Sequence, residues 1–516
     1  MAGRGIRQCL HDITAYLIVL IGVATLASLQ FGFHLAELNA PQDVITCQKK
    51  SISTASRVAG WIKETAGKTE GSSGWLPDCI PMSEAAFATV SSIFTVGGLA
   101  GALAAGPFAS KRGRLPAMRT TALLYMVGAA LEALAGSVFA MSAGRLISGL
   151  GAGASTVIVP LYISEMSPPD ERGLFGAMTQ VSINVGIILT QTLGYFLSYG
   201  HAWRWVLGIG VCIATAQFFG LFVVPESPAW LAAHGDPTKA KRTLQRIRGS
   251  GFDIHQETSH WGAAAADAAS TQEAEEEGLL GQTDGTAPPS PTAPGSRRHM
   301  GFMEVVKDIN TRPAIIAVVG IMVTQQFCGI NSIIMYSVSL LADLLPVSSG
   351  KLTIIISAVN LGMTIACAPL PDRLGRKTSL LISIIGQGSS SLILALSIVF
   401  GAKVLSAFAV LAFVAFFAVG LGPVPFIMAS ELVGQEAVGA TQSWSLAANY
   451  MATFIVAQFF PIVNTALNRA FGGAGWVYFL FAGLAALGAM FVGARVPETR
   501  GKKDADEVWG RTRRLD

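Results

Sequence analysis

Charge is what this 516-residue chain has least of: Asp, Glu, Lys and Arg together make up 13% of it. Soluble domains carry about 25%. A soluble chain of this length would fold as several domains, whose surfaces need more charge than this, so most soluble enzymes are excluded. The 56 glycines follow no period of three and the chain is 51% hydrophobic, which excludes collagen-like and disordered chains. The apolar residues do not alternate in ten-residue strands, so an outer-membrane barrel is disfavoured. No Walker-type phosphate loop is present, which argues against ATP driving. No nucleophile constellation or metal-ligand cluster is visible, so no enzyme, cofactor or metal is expected. No Asn opens an Asn-x-Ser/Thr sequon.

What is there instead is a series of long apolar runs. A helix crossing the ~30 Å hydrocarbon core needs roughly 20 mostly apolar residues. Such runs occur at about 14–34, 85–109, 116–137, 141–163, 174–198, 204–224, 313–341, 352–371, 379–400, 404–429, 441–464 and 475–494. The expectation is an all-α integral membrane protein with twelve transmembrane helices. The first run, reaching Phe33, is too long for a cleaved signal peptide. Lys111, Arg112, Arg114 and Arg119 follow span 2; Arg373, Arg376 and Lys377 follow span 8; the tail carries Arg500, Lys502, Lys503, Arg511, Arg513 and Arg514. With twelve spans these fall on one side, which should be cytosolic, along with both termini.

The loop at 41–83 then faces outward or into a lumen, and it holds Cys47 and Cys79. A disulfide between them and two free thiols are both open readings. The connection at 229–312 holds an insert, 251–300, with 8 acidic and 2 basic residues. Its composition predicts disorder. The net charge of +4 therefore hides a basic membrane protein carrying an acidic insert. Segments 236–248 and 301–310 on either side read as amphipathic helices.

Three landmarks recur in order. Ser110-Lys111-Arg112-Gly113-Arg114 matches Asp372-Arg373-Leu374-Gly375-Arg376, Ser164-Glu165 matches Ser430-Glu431, and Pro225-Glu226-Ser227 matches Pro497-Glu498-Thr499. The chain thus reads as two parallel halves, 1–228 and 313–500, of six helices each, followed by a tail at 501–516. Transporters built this way hold substrate near the midplane and rock one half against the other. The repeated charges suggest a cytosolic gate, with Arg114, Arg145, Glu165, Arg172, Glu226, Arg373, Arg376, Glu431 and Glu498 as candidates. Pairs formed in one state and broken in another would bias a two-state equilibrium.

Further motifs join these: Phe31-Gly32-Phe33, Asn39-Ala40-Pro41-Gln42, Gly144-Arg145, Pro160-Leu161-Tyr162-Ile163-Ser164-Glu165, Glu171-Arg172-Gly173 and Pro225-Glu226-Ser227-Pro228-Ala229-Trp230-Leu231. The second half adds Gln325-Gln326-Phe327-Cys328-Gly329-Ile330-Asn331, Gly422-Pro423-Val424-Pro425 and Val496-Pro497-Glu498-Thr499-Arg500-Gly501. Over nearly its whole length the chain resembles the sugar porters of the major facilitator superfamily. The resemblance implies a secondary carrier for a hexose or related polyol, working as a monomer in a lipid bilayer, with no nucleic-acid partner. A non-transporting sugar sensor is the alternative, and the short segment after Gly501 speaks against it. The expected address is the plasma membrane or the membrane of a vacuole-like organelle.

A hexose is neutral and rich in hydroxyls, so it calls for amides, which donate and accept, and for an apolar wall. Amides inside spans are costly unless they face a cavity or another helix. On span 5, Gln180 shares a face with Ile183, Asn184 and Ile187. By resemblance Gln180, Gln325, Gln326, Asn331, Asn360 and Asn449 match sugar-holding positions, and Ile183, Ile187, Phe417, Phe426 and Tyr450 their apolar or aromatic neighbours. Departures from the family pattern include Ala418, Phe426, Ala229, Val438 and Ser110. Proton-driven members carry Asp where this chain has His34, with Glu37 three residues on. An ionisable pair inside a span is a functional candidate, here for proton coupling, and Glu132 in span 3 is a third such group.

Overall fold

A computed structural model describes residues 14–49, 76–168, 171–234, 236–249, 254–258, 302–341, 349–434, 437–502 and 505–511. The acidic insert lies outside the described residues, apart from 254–258.

The first half holds α1 (Ala15–Ala36), α2 (Glu84–Arg112), α3 (Arg114–Ala133), α4 (Val138–Met166), α5 (Arg172–Leu197) and α6 (Trp203–Gly220). Three of these start on side-chain caps: Thr14, Ser83 and Ser137 accept from Leu17 N, Ala86 N and Ala140 N. A linker helix α7 (Pro237–Arg248) follows. The second half holds α8 (Arg312–Phe327), α9 (Ile330–Leu341), α10 (Ser349–Cys367), α11 (Arg376–Val399), α12 (Lys403–Val419), α13 (Val424–Glu431), α14 (Val438–Phe471) and α15 (Trp476–Arg495). Pairs α8/α9 and α12/α13 each make one broken crossing, so the described residues make twelve crossings.

Among the described residues, ten crossings are long and apolar enough to span a membrane by length and composition. The other two are α3 and α5. Helix α3 carries Arg114, Arg119 and Glu132, and α5 carries Gln180, Asn184 and Gln191. Both are polar because one face is turned to protein. Within the first half, α2 and α4 approach until a Cβ on Gly153 would collide with the Gly98 backbone. Small residues at such a seam let helix backbones pack without a hydrophobic driving force.

The end of the bundle carrying Arg114 and Arg376 is called the basic end here; the opposite one, with the α1–α2 connection, is the loop end. At the loop end Cys47 and Cys79 are bonded, their Cα atoms 5.3 Å apart. Trp203 donates to the Asp78 carbonyl and Arg204 to those of Pro77, Ala133 and Ala135, which ties this strap to α3 and α6.

The two halves meet at the loop end and in the middle. Asn39 donates to the Ile334 carbonyl (2.8 Å), and Ser92 bonds the Gln458 amide (2.7 Å). Deeper, Asn184 donates to Thr364 (2.8 Å) and accepts from Asn360 (3.2 Å), while Thr156 meets the Tyr450 hydroxyl (3.3 Å). At the basic end, the described hydrogen bonds run within each half. Helix α7 buries Ala240, Leu244 and Ile247 and turns its lysines outward. The amphipathic helix expected over 301–310 is shorter than that reading: a single turn, Glu304–Lys307, is helical. Phe302 lies just before that turn and stacks on Trp444. Asp308 follows it, with its carboxylate on Thr311 N, capping the approach to α8.

Candidate functional site

Two broken helices create the polar centre of the second half. Helix α8 stops at Gly329, whose φ of +96° suits glycine, and α9 restarts at once. This sets Gln325 and Gln326 on one piece and Asn331 on the other. Between α12 and α13, the Leu421 carbonyl would need the N–H four residues on, but that residue is Pro425, which has none. The freed carbonyl accepts from Gln325 Nε2 instead.

From there the amides form a chain. Gln325 Oε1 accepts from Asn449 Nδ2 (2.6 Å) and from Gln326 Nε2 (3.1 Å), and Gln326 Oε1 accepts from Asn331 Nδ2 (2.6 Å). Each amide keeps a further donor or acceptor for a ligand hydroxyl. Phe417 lies buried nearby in sequence to the α12–α13 break, and Tyr450 lies one residue past Asn449 with its ring against Gly98 of α2. Tyr450 thereby brings the first half to the cluster.

The remaining sugar-site candidates are spread differently. Gln180 and Ile183 are half-buried on α5 and Ile187 is buried. Asn360 does not join the Gln325 chain; it reaches α5 and bonds Asn184. Phe426 is 43% exposed. Sequence reasoning placed Asn184 on the Gln180 face without giving it a role, and it missed the Leu421 carbonyl. The signal for the second was the Pro-x-Pro at 423–425.

A second buried cluster sits inside the first half. Glu37 Oε1 lies 3.0 Å from His34 Nδ1 and 2.7 Å from Arg145 Nη1, and Arg145 also donates to the His34 carbonyl (2.6 Å). Glu132 Oε2 is 4.0 Å from Arg145 Nη1, and Glu132 Oε1 accepts from Ser148 (2.7 Å). The His34 ring stacks on Tyr125 at 5.2 Å, and the Arg145 guanidinium lies over Phe94 at 4.4 Å. All four ionisable side chains are fully buried. Atoms of His34, Glu37 and Glu132 lie within 4.8 Å of one another, a spacing that could gather a cation, but the Arg145 guanidinium already supplies the positive charge there.

This corrects the expectation for Arg145. It stands apart from the charges of the basic end, because α4 begins at the loop end and Arg145 is in its first turns. Counting span directions from the first helix would have placed it there.

At the basic end the repeat is visible atom by atom. Arg114 Nε and Nη2 meet Glu165 (3.0 and 2.6 Å), its Nη1 donates to the Ala109 carbonyl, and its N–H donates to Glu226 (2.9 Å). Arg376 repeats this with Glu431 (3.2 and 3.0 Å), the Pro371 carbonyl and Glu498 (2.8 Å). Gly113 and Gly375 hold φ of +99° and +105° just before each arginine. Each set ties the basic ends of four crossings of one half together. Asp372, not Arg373, adds a second partner to Arg376; Arg373 is exposed. The Arg172 side chain lies outside the described residues.

Comparison with known proteins gives a consistent set of relatives. The family model described as "Sugar (and other) transporter" matches residues 20–508. The probable metabolite transport protein YBR241C of Saccharomyces cerevisiae is 34% identical over 515 residues, covering 99% of this chain and 98% of that protein. The solute carrier family 2, facilitated glucose transporter member 3 of Bos taurus is 30% identical over 501 residues, covering 95% and 91%. Among solved structures, the xylose transporter XylE from E. coli, in a partially occluded inward-open conformation, has the same fold. Its TM-score is 0.69 at 21% identity, over 95% of this chain and 100% of that one.

Proposed function

Because this chain belongs to the sugar (and other) transporter family, which makes it a membrane transporter and not an enzyme, we propose that it is a secondary carrier moving a hexose or related polyol by alternating access. The observation that carries this reading is the amide chain Asn331–Gln326–Gln325–Asn449. It is neutral, it is held by two helix breaks, and it lies where Tyr450 brings in the first half. Neutral amides and an aromatic ring suit a polyhydroxylated, uncharged solute. The facilitated glucose transporter named above supports the hexose.

The two halves are closed against each other at the loop end, through Asn39–Ile334 and Ser92–Gln458. On the positive-inside bias the basic end faces the cytosol. The conformation is then one that opens inward. The repeated arginine sets keep each half rigid while it rocks.

Coupling is the second part of the proposal. A facilitative carrier needs no fully buried ionisable cluster, and such clusters are costly to keep. The His34–Glu37 pair, on the first span, supports proton-coupled movement.

Counterflow of a panel of labelled sugars in proteoliposomes tests the carrier reading. A flat response across hexoses, pentoses and inositol overturns it. Uptake that ignores both external pH and a protonophore would leave a facilitative carrier.

A further inference from the structure

We infer that the labile proton of the buried cluster resides on the carboxylate pair Glu37–Glu132, that Glu132 is its carrier, and that His34 stays neutral as a positioning residue. This rests on the proton-coupled reading above and goes beyond it by assigning Glu132, which lies on a different helix.

The argument starts from charge. The fully buried set contains one fixed cation, Arg145, and two carboxyl groups, Glu37 and Glu132. With both ionised and His34 neutral, the cluster carries a net negative charge in a low-dielectric interior. Leaving a buried charge uncompensated is strongly destabilising. One added proton makes the cluster neutral, so its resting state holds one.

Geometry decides where the proton sits. Glu37 is the natural anion: its Oε1 takes Arg145 Nη1 at 2.7 Å and faces His34 Nδ1 at 3.0 Å. Glu132 is held less firmly, with Arg145 at 4.0 Å and a single hydroxyl, that of Ser148, on its Oε1. Glu37 Oε2 and Glu132 Oε2 are both buried with no hydrogen-bond partner. Two facing acceptors are satisfied at once when one carries a proton.

Histidine fits the opposite role. Its Nδ1–H donates to Glu37, while Nε2 is buried without a partner. A charged imidazole would put a second N–H there with nothing to receive it, in the same cluster as Arg145. The ring packs flat on Tyr125 and against Gly210 of α6. Among the described residues, Tyr125 on α3 stacks on the His34 ring, and the nearest other titratable or charged groups on neighbouring elements are Arg204 on α6 and Tyr336 on α9. Arg204 is engaged by the carbonyls of Ala133 and Ala135, and Tyr336 donates to the Ala457 carbonyl. None of the three supplies a third carboxylate.

In the transport step, a proton from the acidic side binds the Glu37–Glu132 pair and neutralises the cluster. On the opposite side it leaves, and Glu132 returns to the carboxylate. No bond besides O–H forms or breaks.

The test uses the full-length protein in proteoliposomes, comparing E132Q and H34N with wild type. A one-unit inward proton gradient drives wild-type sugar accumulation toward a limit of about tenfold for one proton per sugar. E132Q, which mimics the protonated acid permanently, is expected to lose accumulation while sugar counterflow persists. H34N, whose amide can still donate to Glu37, is expected to accumulate sugar, with a shifted KM. Wild-type protein that exchanges but never accumulates overturns the coupled reading itself. Accumulation retained in E132Q and lost in H34N overturns this inference alone. If E132Q also fails in counterflow, H34N decides: lost accumulation with intact counterflow overturns the inference, and retained accumulation upholds it.

Discussion

Gln325 holds three partners with one side chain. Its amide nitrogen satisfies a carbonyl that Pro425 has left without an N–H, and its oxygen takes both Asn449 and Gln326. Truncation would strand all three in a buried site, and an unpaired buried polar group costs about 1–3 kcal/mol. Gln325→Ala should therefore raise the KM for sugar counterflow on the order of tenfold or more. Asn360 differs, since its bond goes to Asn184 across the two halves and not into the Gln325 chain. Asn360→Ala should leave KM within a few fold and act mainly on turnover, because it weakens a contact between moving bodies. The two variants measured side by side separate binding from motion. An equal rise in KM for both would place Asn360 in the sugar site after all.

At the scale of elements, the arginine sets make a mechanical prediction. Arg114 and Arg376 bind the same kind of partners in the two halves, each a glutamate at the end of a neighbouring crossing and a glutamate that accepts a backbone N–H. Because they act within a half, loss of either should soften that half, lowering turnover with little change in KM. Arg114→Ala and Arg376→Ala should behave alike; a change confined to KM would refute the shared role. The repeat itself was legible in sequence, because Gly-Arg, Ser-Glu and Pro-Glu recur in register and apolar runs count out the crossings. The amide cluster was legible through the residue types that hexose hydroxyls demand. What the sequence concealed was depth and packing. Arg145 shares its residue type with the basic-end set, and residue type misplaced it, although counting the span directions puts the start of α4 at the other end. The closeness of Glu132 to Glu37 was hidden for a different reason: 95 positions separate them, and only the packing of α1 against α3 and α4 brings them together. The Pro-x-Pro break shows why Leu421 was missed, since its carbonyl becomes available through a hydrogen bond that fails to form.

For the whole molecule, the distribution of contacts between halves is the structure's statement about motion. Ser92 on α2 meets Gln458 on α14 at 2.7 Å, and Asn39 at the end of α1 meets the Ile334 carbonyl on α9 at 2.8 Å. Both lie at the loop end, while the charge sets of the basic end stay inside their own halves. If alternating access is rocking of one half against the other, the loop-end contacts must separate once in each cycle. Holding them together would stop the cycle without touching the amide cluster. Ser92→Cys combined with Gln458→Cys, joined by a short, chemically cleavable thiol crosslinker, should abolish sugar counterflow, and cleavage should restore it. Each single cysteine variant carried through the same treatment, along with wild type, controls for the native Cys47–Cys79 bond and for exposed Cys212. Sugar binding from the basic end should survive crosslinking, measured by protection of a fluorescent or labelled ligand in detergent. Counterflow that continues with the pair locked would mean that the halves do not part at this seam, and the carrier would need a different moving element.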